Sequence, residues 1–167
     1  PPDPAQLNAI LGADPEISHV VLVHVETTSG ILNPVEEIGR VVARHGRRLI
    51  VDAMSGFGAI PIDIAGLPCD AVVASANKCL EAVPGVGFAV TRYEGLMEGN
   101  AHSLTLDLYD QWKVFEASGE WRYTPPTHVM AALDRALETH TAEGAVAGRR
   151  ARYEENCRAL VDGMRAL

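Results

Sequence analysis

The sequence predicts an α/β fold, a mostly parallel β-sheet with flanking helices followed by a helical C-terminal stretch. Three observations carry that expectation. Short β-branched runs recur through the first 91 residues, separated by Gly, Pro and Asn. An amphipathic segment lies between the first two runs, at the spacing of a βαβ unit. After Thr91 the pattern turns helical. The palette agrees: 47% of the 167 residues are apolar and only 5% aromatic, which suits a tightly packed sheet better than an aromatic binding platform. That length corresponds to one domain.

Asp3 is a candidate N-cap with Pro4 at the first helical position. Leu7, Ile10 and Leu11 form an apolar stripe, and Gly12 ends that short helix. His19 to Val25 is a near-continuous apolar run, the mark of a strand covered on both faces in a parallel sheet. Asn33, Pro34 and Glu36 then open a helix as cap, first residue and third residue of a capping-box-like arrangement. Val35, Ile38, Val41 and Val42 line its inner face, and Gly46 is the expected stop. Leu49 to Val51, Ala71 to Ala74 and Gly87 to Thr91 read as further strands. Strand, helix, strand at this spacing implies parallel pairing with a right-handed crossover.

Helices are expected from Leu106 to Phe115, from a cap at Thr127 with Met130, Leu133, Ala136 and Leu137 inward, and after Gly144. The last carries Tyr153, Cys157, Leu160, Met164 and Leu167 at spacings of 4, 3, 4 and 3, a stripe expected to pack in the core. Its charged residues, Arg149, Arg150, Arg152, Glu154, Glu155 and Arg158, are expected on a solvated face.

Lys and Arg number 14 against 22 Asp and Glu, a net charge of -8. That excludes a diffuse nucleic-acid footprint, which needs a basic excess. A small anionic substrate remains open, because one arginine or one helix N-terminus can hold it. No apolar run approaches the roughly 18 residues of a membrane span. Pro1-Pro2-Asp3-Pro4 has no basic region followed by an apolar core, so no signal peptide is visible. Cys69, Cys79 and Cys157 are odd in number and lack C-x-x-C spacing, which argues against a disulfide framework or zinc site and fits a reducing cytoplasm. The chain starts without Met and its last helix has no stop signal, so it reads as a piece of a longer chain.

In an open parallel sheet, ligands bind beyond the carboxyl ends of the strands. Three predicted strands end there in polar residues: Glu26-Thr27-Thr28-Ser29-Gly30, Asp52-Ala53-Met54-Ser55 and Ser75-Ala76-Asn77-Lys78. Each also has an ordinary structural reading, as a polar turn, a capping aspartate or a solvated lysine. Together they offer hydroxyls, a carboxylate and an amine on one edge. Pyridoxal phosphate chemistry uses such a set: a lysine amine forms a Schiff base with the aldehyde, and an acid keeps the ring nitrogen protonated as an electron sink. Spacing alone does not decide this, since other enzymes also place Asp and Lys at strand ends.

His24-Val25-Glu26-Thr27-Thr28-Ser29-Gly30-Ile31-Leu32-Asn33-Pro34, Val51-Asp52-Ala53-Met54-Ser55 and Ser75-Ala76-Asn77-Lys78-Cys79 resemble the class V aminotransferases of fold type I. Ile60 to Ala65, Val83 to Gly85, Ser103 to Tyr109 and Trp121 to His128 are similar to segments of that family too, so the resemblance runs from about Leu7 to the C-terminus. It implies Lys78 as the Schiff-base lysine and catalytic residue, Asp52 on the pyridinium nitrogen and Thr27 on the ring oxygen. It implies Thr124 on the cofactor phosphate of a neighbouring subunit, in a homodimer with shared active sites. Residues 1–143 would then be a segment of the large cofactor-binding domain, and 144–167 a helix leading towards a small C-terminal domain. Members are roughly twice this long. Their phosphate loop, stacking ring and substrate-holding arginine have no counterpart here.

The reaction implied moves the amino group of 2-aminoethylphosphonate to pyruvate, giving phosphonoacetaldehyde and alanine. Transamination of alanine with glyoxylate or of serine with pyruvate is the alternative, and a non-catalytic α/β module is a third. Arg122 is the one arginine in a motif-like loop, as an anion ligand or an interface residue. Asn77 either orients the lysine loop or does nothing specific, and Gly85 and Gly87 are read as turn and packing residues.

Overall fold

The computed structural model describes residues 1–97 and 101–167. Helix α1 (Pro4–Ala13) is capped as expected, with Asp3 Oδ1 accepting from the Ala5 N–H at 2.9 Å, and runs one residue past Gly12. Strand β1 (His19–Val23) then bends at His24 into a hairpin of β2 (Val25–Glu26) and β3 (Ile31–Leu32). The apolar run expected as one strand is thus two. The His24 N–H still donates to the Asp52 carbonyl, at 2.7 Å, but its own carbonyl turns away to accept from the Asn33 N–H, at 2.9 Å.

Helix α2 (Val35–Arg44) buries the four expected residues, because their 3.6-residue period puts them on one side. Gly46, at φ +62°, follows its end. The capping box does not form. Pro34 is the N-cap without a side-chain bond, and Asn33 Nδ2 instead donates to the Val23 carbonyl at the end of β1, at 2.8 Å.

Strands β4 (Arg48–Asp52), β5 (Ala71–Ser75) and β6 (Gly87–Thr91) complete a sheet of order β1-β4-β5-β6. β1 with β4 and β4 with β5 are parallel, whereas β6 runs antiparallel on β5. One sheet face, with Leu49, Val51 and Val72, packs on Leu11, Ile38 and Val42 of α1 and α2. Each such side chain contributes roughly 1.5–3 kcal/mol by burial. The other face is open: Val21 is 68% exposed, so β1 is not covered on both sides as its composition predicts.

The remainder is helical: α3 (Tyr93–Met97), α4 (Leu108–Ser118), α5 (Thr127–Ala142) and α6 (Ala145–Arg165). Asp107 caps α4 by accepting from the Asp110 N–H at 3.0 Å, two residues beyond the expected start. Thr127 is the first residue of α5 and not its cap, and Leu137 is exposed while His140 is buried.

On α6 the charged face is solvated as expected at Arg150, Arg152, Glu154, Glu155 and Arg158, but the apolar stripe is not buried and Arg149 is. Leu160 and Met164 face solvent at 65% and 67% exposure, because no described residue of this chain covers that stripe. Arg149, expected on the solvated face, is 1% exposed, paired with Glu143 of the α5–α6 corner and with Glu81 of the loop after β5. Among the described residues no helix is long and apolar enough to cross a membrane.

Candidate active site

β1, β4 and β5 end at one edge, with Val23 opposite Asp52 and Asp52 opposite Val73. Asp52 is the last residue of β4, and side-chain alternation puts it with Ile50 on the open face. Its Oδ1 accepts from the Met54 N–H at 2.9 Å, and Oδ2 has no partner among the described residues. Thr27 lies in the turn between β2 and β3. That turn is closed by the Gly30 N–H on the Glu26 carbonyl at 2.7 Å, with Gly30 at φ +69°. The Thr27 hydroxyl is 2.5 Å from that of Ser55, in the loop after Asp52.

Lys78 sits on a tight loop after β5. The Ala82 N–H donates to the Ala76 carbonyl at 3.0 Å, and the Glu81 N–H to the Lys78 carbonyl at 2.8 Å. Cys79 Sγ donates to the Ser55 carbonyl at 3.2 Å. Ser55, in the loop after Asp52, is therefore bonded both to the turn that carries Thr27 and to the loop that carries Lys78. The chain has two lysines, Lys78 and Lys113. Lys113 is paired with Asp110 at 2.6 Å. Lys78 is exposed, and its amine makes no hydrogen bond or ion pair among the described residues.

Thr124 is exposed in the segment between α4 and α5, and no bond among the described residues links it to the other three. Arg122 is committed to its own surroundings, donating to the Leu104 carbonyl at 2.8 Å and pairing with Asp110 at 3.2 Å. That leaves its guanidinium a structural tie within the 104–122 segment. Gly85 is a packing residue as expected: at φ +134°, a Cβ there would stand 3.0 Å from Val129 Cγ2.

Two buried polar atoms near this edge lack partners, Ser75 Oγ at the end of β5 and His24 Nδ1. Burial pushes the His24 imidazole below its usual value, so it is held neutral. A groove of about 710 Å³ lies between α2 and the loop after β4, with Arg150 among its lining residues. None of Thr27, Asp52, Lys78 or Thr124 lines it.

Two residues escape a reading of the sequence. Ser55 stands inside a strand-end motif, but its bridging role depends on loops distant in the chain. Arg149 looks like one more charge on an amphipathic helix. The available signal was the glycine pair around it, Gly144 and Gly148, which marks a tight corner rather than a plain helix start.

Aminotransferase class V, as a family, matches residues 2–167. The chain belongs to the class-V aminotransferases. It is 56% identical over 167 residues to 2-aminoethylphosphonate–pyruvate transaminase 2 of Burkholderia lata, covering 99% of this chain and 44% of that protein. It is 51% identical over 169 residues to the 2-aminoethylphosphonate–pyruvate transaminase of Pseudomonas putida, covering 100% and 46%. The chain thus spans about half the length of the curated relatives it matches.

Among solved structures, pyridoxamine–pyruvate aminotransferase from Mesorhizobium loti superposes with a TM-score of 0.77 at 32% identity, over 86% of this chain and 38% of that one. Ureidoglycine–glyoxylate aminotransferase from Bacillus subtilis gives 0.86 at 22% identity over 98% and 43%, a likeness of fold.

Pyridoxal phosphate is the cofactor of class-V aminotransferases. The donor set at the edge fits it: an uncommitted amine, a carboxylate with a free oxygen, a hydroxyl pair and an unpartnered buried Ser75 Oγ.

Proposed function

We propose that the protein transfers the amino group of 2-aminoethylphosphonate to pyruvate, giving phosphonoacetaldehyde and alanine. The observation that carries this reading is an uncommitted lysine, Lys78, on a loop tied through Ser55 to the loop following Asp52. The naming of relatives at 51% and 56% identity supports the substrate pair.

When bound, pyridoxal phosphate supplies an aldehyde that takes up amino groups and a ring that accepts the electrons of the substrate's breaking C–H bond. Lys78 contributes the amine that holds the aldehyde, and then moves the proton at the substrate carbon. Asp52 keeps a proton on the ring nitrogen through its carboxylate. Thr27 offers its hydroxyl to the ring oxygen, with Ser55 fixing its direction.

Thr124 serves the phosphate of a neighbouring subunit in a homodimer with shared sites. Supporting this, Leu104 and Leu106, on the segment bonded to Arg122, are 73% and 78% exposed, as for residues awaiting a partner. Residues 1–143 belong to the large cofactor-binding domain, and α6 leads towards a small domain that covers its apolar stripe. Three free cysteines fit a cytoplasmic setting.

The test is borohydride reduction of the protein loaded with pyridoxal phosphate, followed by peptide mapping and a donor panel. Label at Lys78, with phosphonoacetaldehyde formed from 2-aminoethylphosphonate, is the expected result. Label at Lys113 refutes the site. Label at Lys78 with turnover only of alanine and glyoxylate, or of serine and pyruvate, moves the substrate reading to those pairs. Failure to bind the cofactor leaves a non-catalytic module.

A further inference from the structure

The Lys78 loop is gripped from a direction that the cofactor site itself does not explain. Arg149, at the start of α6, sends Nη1 to the carbonyl oxygen of Cys79, the residue next to Lys78. Its Nε donates to Glu143 Oε2 at 2.8 Å, and Nη1 lies 3.4 Å from Glu81 Oε2. Glu81 closes the turn over Lys78 and sits at φ +59°, a conformation that a non-glycine residue adopts only when held there. Three groups of α6 hold it. Besides Arg149, Tyr153 Oη donates to Glu81 Oε1 at 2.7 Å and Arg152 Nη2 at 2.8 Å.

The corner that presents Arg149 is itself highly determined. Gly144 stands at φ +101°, and a Cβ on Gly148 would stand 1.9 Å from the Glu143 carbonyl oxygen, so glycine at 148 is what lets the turn close. On the other side of the corner, His140 Nε2 bonds the Gly58 carbonyl at 2.6 Å, in the loop that follows Asp52. One helical corner therefore holds the acid's loop and the amine's loop together.

We propose that Arg149 is a positioning residue for Lys78: through the Cys79 carbonyl and Glu81 it fixes the loop that aims the amine at the cofactor. A solvent-exposed amine on an unbraced turn samples many directions, and reaction at a fixed aldehyde needs one of them. Two carboxylates and a carbonyl hold one guanidinium that is itself 1% exposed, and its planar fork fixes their mutual geometry. The inference rests on the reading of Lys78 as the cofactor lysine, and the experiment separates the two.

The protein loaded with pyridoxal phosphate is compared with R149M, R149K and G46A, the last a loss of stability far from the edge. Three quantities are read: the cofactor dissociation constant, the pH midpoint of the bound cofactor's visible band, and the melting temperature. R149M is expected to weaken the cofactor by about tenfold to a hundredfold, as misplacement of a reacting group does, with R149K recovering part of the loss. G46A is expected to lower the melting temperature and leave the cofactor constants unchanged. Should R149M fail to fold, R149K decides, by a midpoint moved about half a unit or more. Native constants in a folded R149M or an unmoved R149K, or equal weakening in G46A, overturn the positioning role. Borohydride labelling of the native protein at Lys113 would instead overturn the site on which it rests.

Discussion

Gly58, in the loop after Asp52, faces Leu80 of the Lys78 loop, and Gly58→Ala tests whether that contact matters. Its backbone is at φ +96°, and a Cβ would stand 2.8 Å from Leu80 Cδ2 and 3.4 Å from Leu80 Cγ. Carbon atoms in contact settle at about 3.5–4.0 Å, so the overlap is well over half an ångström. Leu80 is 3% exposed and has no solvent to swing into. Two costs add: about 1–3 kcal/mol for a side chain in this backbone region, and about 1–3 kcal/mol for overpacking a closed contact. The sum, about 2–6 kcal/mol, converts to a melting temperature lowered by about 4–24 °C in a chain of this size. Gly46→Ala isolates the first cost, since Gly46 has φ +62° and nothing within 4 Å of the added atom. Thermal unfolding of both variants by circular dichroism is the assay, with a cofactor titration beside it. G58A should lose more stability than G46A and should also weaken the cofactor, because Leu80 carries the Lys78 loop with it. Equal losses in the two variants would mean that the loops do not bear on each other there.

Acid should destabilise the protein in two stages. Hydrogen bonds from Arg152 and then Arg149 hold the Glu143 carboxyl down to about 2, and the Tyr153 hydroxyl leads in holding Glu81 below its usual value. A depressed carboxylate adds stability above its ordinary value of 4.5, and that stability drains as pH falls from there towards about 2. His24, kept neutral by burial, binds its proton more readily once unfolded, so a shallower loss begins as pH drops below the ordinary 6.5. Melting curves between pH 8 and pH 3 check both stages; a flat profile contradicts them, and E143Q should reduce the steeper one. On the segment bonded to Arg122, the double variant L104E/L106E should convert the proposed dimer to monomers in sedimentation without lowering the melting temperature of the monomer. An unchanged sedimentation profile would remove these residues from the interface.

Periodicity in the sequence located the buried face of α2 residue by residue, because that helix packs on strands adjacent to it in the chain. The same logic failed on α6. A stripe at helical spacing records that a face wants an apolar partner, but it does not say that the partner lies within these residues, and Leu160 and Met164 face water. Charge misled in the opposite sense. Arg149 sits among arginines and glutamates that read as a solvated face, yet Glu81 and Cys79, which meet it, come from a loop far back in the chain. The capping box at Asn33 failed for a related reason: its side chain had a competing acceptor, the Val23 carbonyl, made available where β1 bends at His24.

The candidate site divides along the same line. Parallel strands oblige their carboxyl ends to share an edge, so Thr27, Asp52 and Lys78 could be brought together from strand order alone. Sharing an edge does not aim a side chain. The segment between β4 and β5 contains no helix, and Lys78 stands on a loop whose own hydrogen bonds fix its shape but not its tilt against the sheet. Tilt is set by contacts from outside: Ser55 on Cys79, Leu80 on Gly58, His140 on the Gly58 carbonyl and Arg149 on the Cys79 carbonyl. Two of those four come from the α5–α6 corner, residues that carry no motif and touch no reacting atom. Reading a site from motifs therefore finds the groups that react and omits the groups that make them meet. For this chain the second set extends from Ser55, inside a motif, to His140 and Arg149, which lie beyond Trp121 to His128, the last of the motif segments.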